Sequence, residues 1–210
     1  GCATATVSPD GAVSLAGSLS DGTPVEWSAA LHPDGRCPVY VPLYGGRGSL
    51  SGWLQFAGNK SGLDISGQLA WFKPESSRDK LYPQGFSRLV AAAGNRYQAP
   101  GAGGQLMAYT NAVLAFSEGN LPENLGSLLE FADGGRIRVT VPTDNKFHFA
   151  MAPATGAFSG VFTHPATRKS TTFHGVVLQK HGWGSGHFAG PEQSGLVFFG
   201  PNKGLPEEKP

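Results

Sequence analysis

The residues of this sequence best suited to chemistry are histidines near its carboxyl-terminal end. His164, His174, His181 and His187 lie close together in the chain, and imidazole is a common ligand of transition metals. Hairpins could bring them together, which makes His164, His181 and His187 weak metal-ligand candidates. No Asp or Glu lies among them, and His174 and His187 fall on predicted strands. We therefore expect packed or surface histidines, with no metal and no cofactor.

A catalytic nucleophile is no better supported. Ser185 stands in Gly184-Ser185-Gly186, which lacks both the Gly-x-Ser-x-Gly pattern and the strand-to-helix turn of a nucleophile elbow. The glycine-rich runs 45–48 and 182–186 precede strands, whereas a phosphate cradle requires a following helix. Most carboxylates sit beside glycines, where they form turns. The sequence predicts no catalytic residue, although a hydrolase with an unrecognised site remains an alternative.

Aromatic side chains give the most plausible binding signal. Tyr40, Tyr44 and Trp53 fall on strand positions opposite the apolar residues of their strands, since alternate side chains point to opposite faces. If that face is open to solvent, the three rings form a platform of the kind on which sugars stack, and Trp183 adds a fourth ring from an equivalent loop. The alternative is that these rings pack beneath a long segment at 75–104, because large aromatics are more often covered than exposed.

Two cysteines, Cys2 and Cys37, are too few for a disulfide-dense scaffold and lack the spacing of a zinc site. One bridge between them is possible in an oxidising compartment. Two free thiols are equally compatible with the sequence.

The elements that position these residues are predicted to be strands. The chain of 210 residues contains 31 Gly and 16 Pro, and only 15% of it is charged. Glycine and proline are unfavourable inside helices and mark turns. Apolar residues alternate over 13–19, 25–31, 39–43, 50–56 and 63–71, which predicts a meander of four or five antiparallel strands with Trp27 and Trp71 in the core.

The second half of the chain repeats the first, which indicates two related half-domains. Segment 25–31 corresponds to 172–178, and segment 48–54 corresponds to 182–188. We expect half-repeats at about 11–74 and 156–201, joined by a surface crossover and extra strands at 75–155. Residues 1–204 then form one all-β domain, an antiparallel barrel or a two-sheet sandwich with the barrel favoured, and 205–210 resemble a linker.

Charge and hydropathy exclude some partners. The net charge is +1 without a basic stripe, so no nucleic acid or anionic membrane surface is expected. No apolar run is long enough for a transmembrane helix, and the first residues are not a signal peptide.

Five motifs in order give the sequence a resemblance to a known module. They are Asp21-Gly22-Thr23, the segment 38–54 (PVYVPLYGGRGSLSGWL), the segment 66–74, the segment 82–86 (YPQGF), and Leu178-Gln179-Lys180 followed by 182–195. This series resembles an uncharacterised all-β repeat module of very large secreted proteins of Verrucomicrobia and related bacteria. The resemblance implies a secreted or cell-surface setting beside other β modules, and it supplies no catalytic residues.

The leading functional hypothesis is a non-catalytic extracellular module for adhesion, surface assembly or spacing. Its expected partners are a polysaccharide, other protein modules, or a second copy of the chain. A carbohydrate-binding module with the aromatic platform is the first alternative, and the hydrolase is the second.

Overall fold

The structure, a computed structural model, describes residues 1–56, 62–101, 104–132 and 136–202. The predicted linker at 205–210 and residues 203–204 lie outside the described residues. The fold is all-β, as predicted, and its largest sheet is a nearly closed antiparallel barrel of eight strands. The helical elements of the described residues are two short 3-10 helices, Tyr44–Gly46 and Gln179–His181.

The first seven strands form two antiparallel sheets. The three-stranded sheet has the order β1-β2-β3, and the four-stranded sheet has the order β4-β5-β6-β7. Their bounds are β1 Cys2–Val7, β2 Ala12–Ser18, β3 Pro24–Ala30, β4 Arg36–Leu43, β5 Gly48–Phe56, β6 Ile65–Lys73 and β7 Phe86–Gly94. Val25 of β3 shares a core with Leu50 and the buried Trp71, and the partly buried Trp27 packs against that core.

The expected single meander is divided between β3 and β4. The chain turns tightly here, with the amide of Gly35 donating to the carbonyl of His32, yet β3 and β4 do not pair. Pro38 and Pro42 lie in β4 and have no amide hydrogen to donate to a ladder. β4 is therefore an edge strand, and the two sheets pack through side chains.

The remaining eight strands form the barrel-like sheet. Its order is β10-β9-β8-β15-β14-β13-β12-β11. The bounds are β8 Asn111–Glu118, β9 Leu125–Ala132, β10 Arg136–Val141, β11 His148–Ala152, β12 Ala157–His164, β13 Lys169–Leu178, β14 Trp183–Ala189 and β15 Ser194–Pro201. Phenylalanines fill its interior: Phe116 is fully buried, with ring centroids 4.8 Å from Phe162 and 5.0 Å from Phe173.

The same order of elements, strand, 3-10 helix, strand, strand, occurs twice in the described chain. β4, Tyr44–Gly46, β5 and β6 follow one another as β13, Gln179–His181, β14 and β15 do. β5 and β14 overlap the predicted segments 48–54 and 182–188. Gly48 lies opposite Leu43 and Trp183 lies opposite Leu178, a shift of one residue from the predicted correspondence. In this order of elements, segment 172–178 of β13 corresponds to β4 and not to the predicted segment 25–31, because β4 is the strand that leads into the first 3-10 helix.

The crossover predicted at 75–104 contains a strand. β7 pairs with β6 along its whole length, from Lys73 opposite Phe86 to Ile65 opposite Gly94. Its run of small residues at 91–93 hides the alternation in the sequence. β7 is therefore an edge strand of the four-stranded sheet and does not lie across its outer face.

Candidate binding site

The outer side of the four-stranded sheet carries exposed apolar side chains, here called the aromatic face. Tyr40 of β4 is 67% exposed and Trp53 of β5 is 54% exposed, and Phe72 of β6 and Leu89 of β7 are also exposed. All four point away from the core shared by the two sheets. Each strand of the sheet thus contributes one large apolar side chain to the same surface.

Strand register places the two largest rings near each other. Trp53 pairs with Pro38, and Ser51 pairs with Tyr40, so the two aromatic residues are diagonal neighbours on adjacent strands. Diagonal neighbours on one face lie within reach of large side chains. The alternation forces this outward position, because Val39 and Val41 on either side of Tyr40 are buried.

A polar group borders Trp53. The guanidinium carbon of Arg36 lies 5.6 Å from the ring centroid of Trp53, a cation–π contact. Arg36 is held by a 2.7 Å hydrogen bond from its Nε to Asp34, and Gln55 donates to the Asp34 carbonyl at 3.0 Å. Hydrogen bonds from the backbone amide of Arg36, which has the larger effect, and from the Arg36 side chain lower the pKa of the Asp34 carboxyl to about 2. The aromatic face therefore has a charged, hydrogen-bonding rim along one edge.

The other two residues of the predicted platform lie elsewhere. Tyr44 has a positive φ of 53°, and its ring is turned inward to contact Asp21 and Trp71. Trp183 lies in the barrel-like sheet, half-buried and stacked on Phe198 with ring centroids 6.4 Å apart. The structure thus joins Tyr40 and Trp53 on one open surface, and it does not bring Tyr44 or Trp183 to them.

The candidate histidines are separate from one another. His164 is buried, with Nε2 2.9 Å from the carbonyl of Gly119, whereas His181 is exposed beside the ring of Trp183. His187 is buried under the three-stranded sheet with Nε2 3.2 Å from Oγ of Ser18, and burial lowers its pKa to about 4. Within the described ranges no group of three or more His, Cys, Asp and Glu is arranged to hold a metal ion.

Both cysteines are free thiols. Cys2 lies in β1, and Cys37 is buried in β4 with its Sγ 3.5 Å from the carbonyl of Ala30. Burial raises the pKa of each thiol, so neither has the thiolate character of a reactive cysteine.

A buried charge cluster lies at the end of β6 and was missed by the sequence reasoning. It consists of Lys73, Asp21 and Asp79, hereafter the Lys73 cluster. The side chain of Lys73 is 4% exposed and that of Asp21 is 2% exposed. The signal was present in the sequence, because the alternation of Leu69 and Trp71 points the side chain of Lys73 inward as well.

The geometry of the Lys73 cluster is tight. Nζ of Lys73 lies 2.6 Å from Oδ2 of Asp79 and 3.5 Å from Oδ2 of Asp21. It also lies 4.2 Å from the ring centroid of Tyr44. The Tyr44 hydroxyl donates to Oδ2 of Asp21 at 2.7 Å and accepts a hydrogen bond from Nε1 of Trp71 at 3.0 Å. The amine of Lys73 and the carboxylate of Asp21 are thus enclosed together with aromatic rings, and the partly exposed carboxylate of Asp79 closes the cluster toward solvent.

No described helix is long and apolar enough to cross a membrane. Comparisons with protein-family models, with curated proteins and with solved structures give no match.

Proposed function

We propose that this chain is a non-catalytic extracellular binding module for adhesion or surface assembly, and that the aromatic face is its contact surface. The observation that carries the proposal is the alignment of exposed Tyr40, Trp53, Phe72 and Leu89 on one side of the four-stranded sheet. The extracellular setting rests on the sequence resemblance described above.

Physical chemistry favours a partner at this face. Contiguous exposed apolar patches rimmed by polar groups are typical of interaction sites, whereas scattered single apolar residues are not. Tyr, Trp and Arg are the residues that most often dominate binding energy in interfaces. Tyr40, Trp53 and Arg36 lie together here, on a regular sheet that holds them in place without ordering a loop.

A polysaccharide is the second candidate for this surface, and a specific observation favours it. Tyr40 and Trp53 present large ring surfaces, and Arg36, Gln55 and Gln68 on the same face supply hydrogen-bonding groups. An apolar surface with a few polar groups suits a sugar ring, which has both apolar and hydroxyl-bearing surfaces. If the partner is a protein, a second copy of this chain is the candidate, and it would bind through the same face.

The test uses the full chain and measures retention on a panel of soluble and insoluble glycans, together with the sedimentation of the chain alone. Trp53→Ala and Tyr40→Ala remove the rings, and Phe198→Ala removes an exposed ring from the barrel-like sheet as the matched control. We expect the affinity for glycan or for a second copy of the chain to fall at least about tenfold in Trp53→Ala and in Tyr40→Ala. Phe198→Ala should behave as wild type.

Two results would count against these proposals. Absence of retention on every glycan rejects the carbohydrate candidate but leaves association between protein modules. Binding or self-association that is equally strong in wild type and in Trp53→Ala removes the aromatic face as the contact surface.

A further inference from the structure

Lys73 is an unusual residue for a protein interior. Lysine is almost never fully buried unless it is paired, and here the ammonium group has two carboxylate neighbours, Asp79 at 2.6 Å and Asp21 at 3.5 Å. The aromatic ring of Tyr44 covers it on another side. The aromatic face does not use this cluster, and nothing in the proposed function requires it.

We propose that Lys73 and Asp21 become joined by an intramolecular amide bond, with Asp79 as the proton carrier. The bond forms between Nζ of Lys73 and Cγ of Asp21, and the bond from Cγ to one carboxyl oxygen breaks. The ammonium group and the carboxylate together yield one amide and one water molecule. Atoms, charge and electrons balance without an oxidant, a reductant or a co-reactant.

Asp79 is placed to move the proton. Its Oδ2 is in direct hydrogen-bond contact with Nζ, and its side chain is partly exposed while Asp21 is not. The hydrogen bond from Lys73 holds the pKa of Asp79 below its usual range, so the carboxylate is in its proton-accepting form. Asp79 takes a proton from the ammonium, which frees the nucleophilic lone pair, and passes it to the departing oxygen. After the amine has added to Cγ, Asp79 carries a second proton from the same nitrogen to that oxygen, which then leaves as water.

Asp21 is placed to be the acceptor. The backbone amide of Thr23 donates to its Oδ1 at 3.0 Å, and the Tyr44 hydroxyl donates to its Oδ2 at 2.7 Å. These two donors lie where negative charge develops on the oxygens when the amine adds to Cγ, so they stabilise the tetrahedral intermediate. They also hold the carboxyl group beside the amine, with Oδ2 of Asp21 3.5 Å from Nζ of Lys73.

The enclosure favours the amide over the free pair. In water, an amine and a carboxylate stay apart because both are strongly hydrated. Here both groups are removed from water and held in contact, which raises their effective concentration by many orders of magnitude. Tyr44 and Trp71 form the apolar wall, and the released water leaves on the side of Asp79, the partly exposed member of the cluster.

The position of the bond gives it a structural role. Asp21 lies in the turn between β2 and β3, and Lys73 is the last residue of β6. An amide bond between them adds a covalent cross-link between the three-stranded and the four-stranded sheet. These sheets are otherwise joined by the chain at 31–35, by packed side chains and by the hydrogen bond from Tyr44 to Asp21.

The test measures the intact mass of the purified full chain. The chain is first incubated for a prolonged time in its folded state and is then denatured for the mass measurement. We expect a mass lower than the sequence mass by one water molecule. Protease digestion and fragmentation should then give one branched peptide that joins Lys73 to Asp21. Lys73→Met, Asp21→Ala and Asp79→Asn should each have the full mass calculated for the variant, and Lys80→Met, which removes a neighbouring exposed lysine, should retain the loss of water.

Three results overturn the proposal. The first is a wild-type mass equal to the mass calculated from the sequence. This result does not depend on whether any variant folds. The second is a branch at Asp79 or at another residue. The third is a loss of water that persists in Lys73→Met, because a succinimide formed at Asp21-Gly22 has the same mass change and does not require the lysine.

Discussion

The hydroxyl of Tyr44 donates a 2.7 Å hydrogen bond to Oδ2 of Asp21, and this contact joins the first 3-10 helix to the turn between β2 and β3. Trp71 completes the connection by donating to the same hydroxyl at 3.0 Å. Burial, followed by the neighbouring Asp21 carboxylate, raises the pKa of Tyr44 well above its usual value. The phenol therefore stays protonated and keeps its role as a donor.

Tyr44→Phe removes this hydroxyl and leaves Asp21 and the Trp71 indole each short of one partner. Leaving buried polar groups unsatisfied costs about 1–3 kcal/mol, so we expect the free energy of unfolding to fall by that amount. Urea denaturation measures it. Tyr40→Phe is the matched control, because its ring is exposed, and its stability should equal that of wild type. Equal stability of both variants would contradict a structural role for the Tyr44 hydroxyl.

His187 should make stability depend on pH. Its pKa in the folded state is about 4 because it is buried, with further contributions from nearby positive charge including His174, against about 6.5 in the unfolded chain. The unfolded state binds the proton more readily, so the stability contributed by neutral His187 is complete above pH 6.5 and is lost as the pH falls toward 4. The maximum loss is about 3 kcal/mol.

Denaturation curves between pH 7 and 4 test this prediction for wild type and for His187→Asn. The variant should be less stable at pH 7 and should show a flatter dependence on pH in that interval. His181→Asn alters an exposed histidine and should keep the wild-type slope. A slope that His187→Asn leaves unchanged would assign the pH dependence to other groups.

Glycines in the barrel-like sheet make room for phenylalanine rings. A Cβ built on Gly175 would overlap the ring of Phe158, whereas a Cβ on Gly126 in β9 would make only an ordinary contact, 4.0 Å from the carbonyl oxygen of Leu114. Neither glycine has a positive φ, so the comparison isolates packing. We expect Gly175→Ala to lose about 1–3 kcal/mol through overpacking and Gly126→Ala to be neutral or slightly stabilising. Thermal unfolding of both variants decides the point, and similar melting temperatures would contradict it.

Phe116 is the centre of the barrel core. Its ring contacts those of Phe147, Phe162, Phe173 and Phe188. Phe116→Ala should cost about 3–5 kcal/mol, as other deletions of a buried phenylalanine do. Phe198→Ala removes a ring that is about half exposed and should cost less than about 1 kcal/mol. Chemical denaturation measures both, and comparable losses would show that the core does not depend on Phe116.

The sequence was most informative where one face of a strand is consistently apolar. The alternation in β4 and β5 places Tyr40 and Trp53 on the outer face, and the same rule places Trp71 in the core. The alternation of side chains does not predict the direction of Tyr44, because the chain leaves the extended conformation at that residue. Its positive φ turns the side chain inward, and no period-two pattern contains that information.

The parts missed by the sequence depend on contacts between distant segments. The inward direction of Lys73 follows from alternation, but its burial depends on Asp21 and Asp79, which only the packed sheets bring to it. His187 was expected to be packed or at the surface, and the structure buries it because the three-stranded sheet lies over it, with Ser18 as its contact. The division of the sheets at β4 follows from two prolines whose effect on pairing is visible only once the neighbouring strand is known.

Those prolines have a further consequence for solubility. β4 is an edge strand, and an edge with a full set of amide donors is a template for pairing with another chain. Pro38 and Pro42 remove two of those donors, so a strand from a second molecule cannot form a continuous ladder along β4. The strand that carries the exposed Tyr40 is thus protected against aggregation through its own backbone.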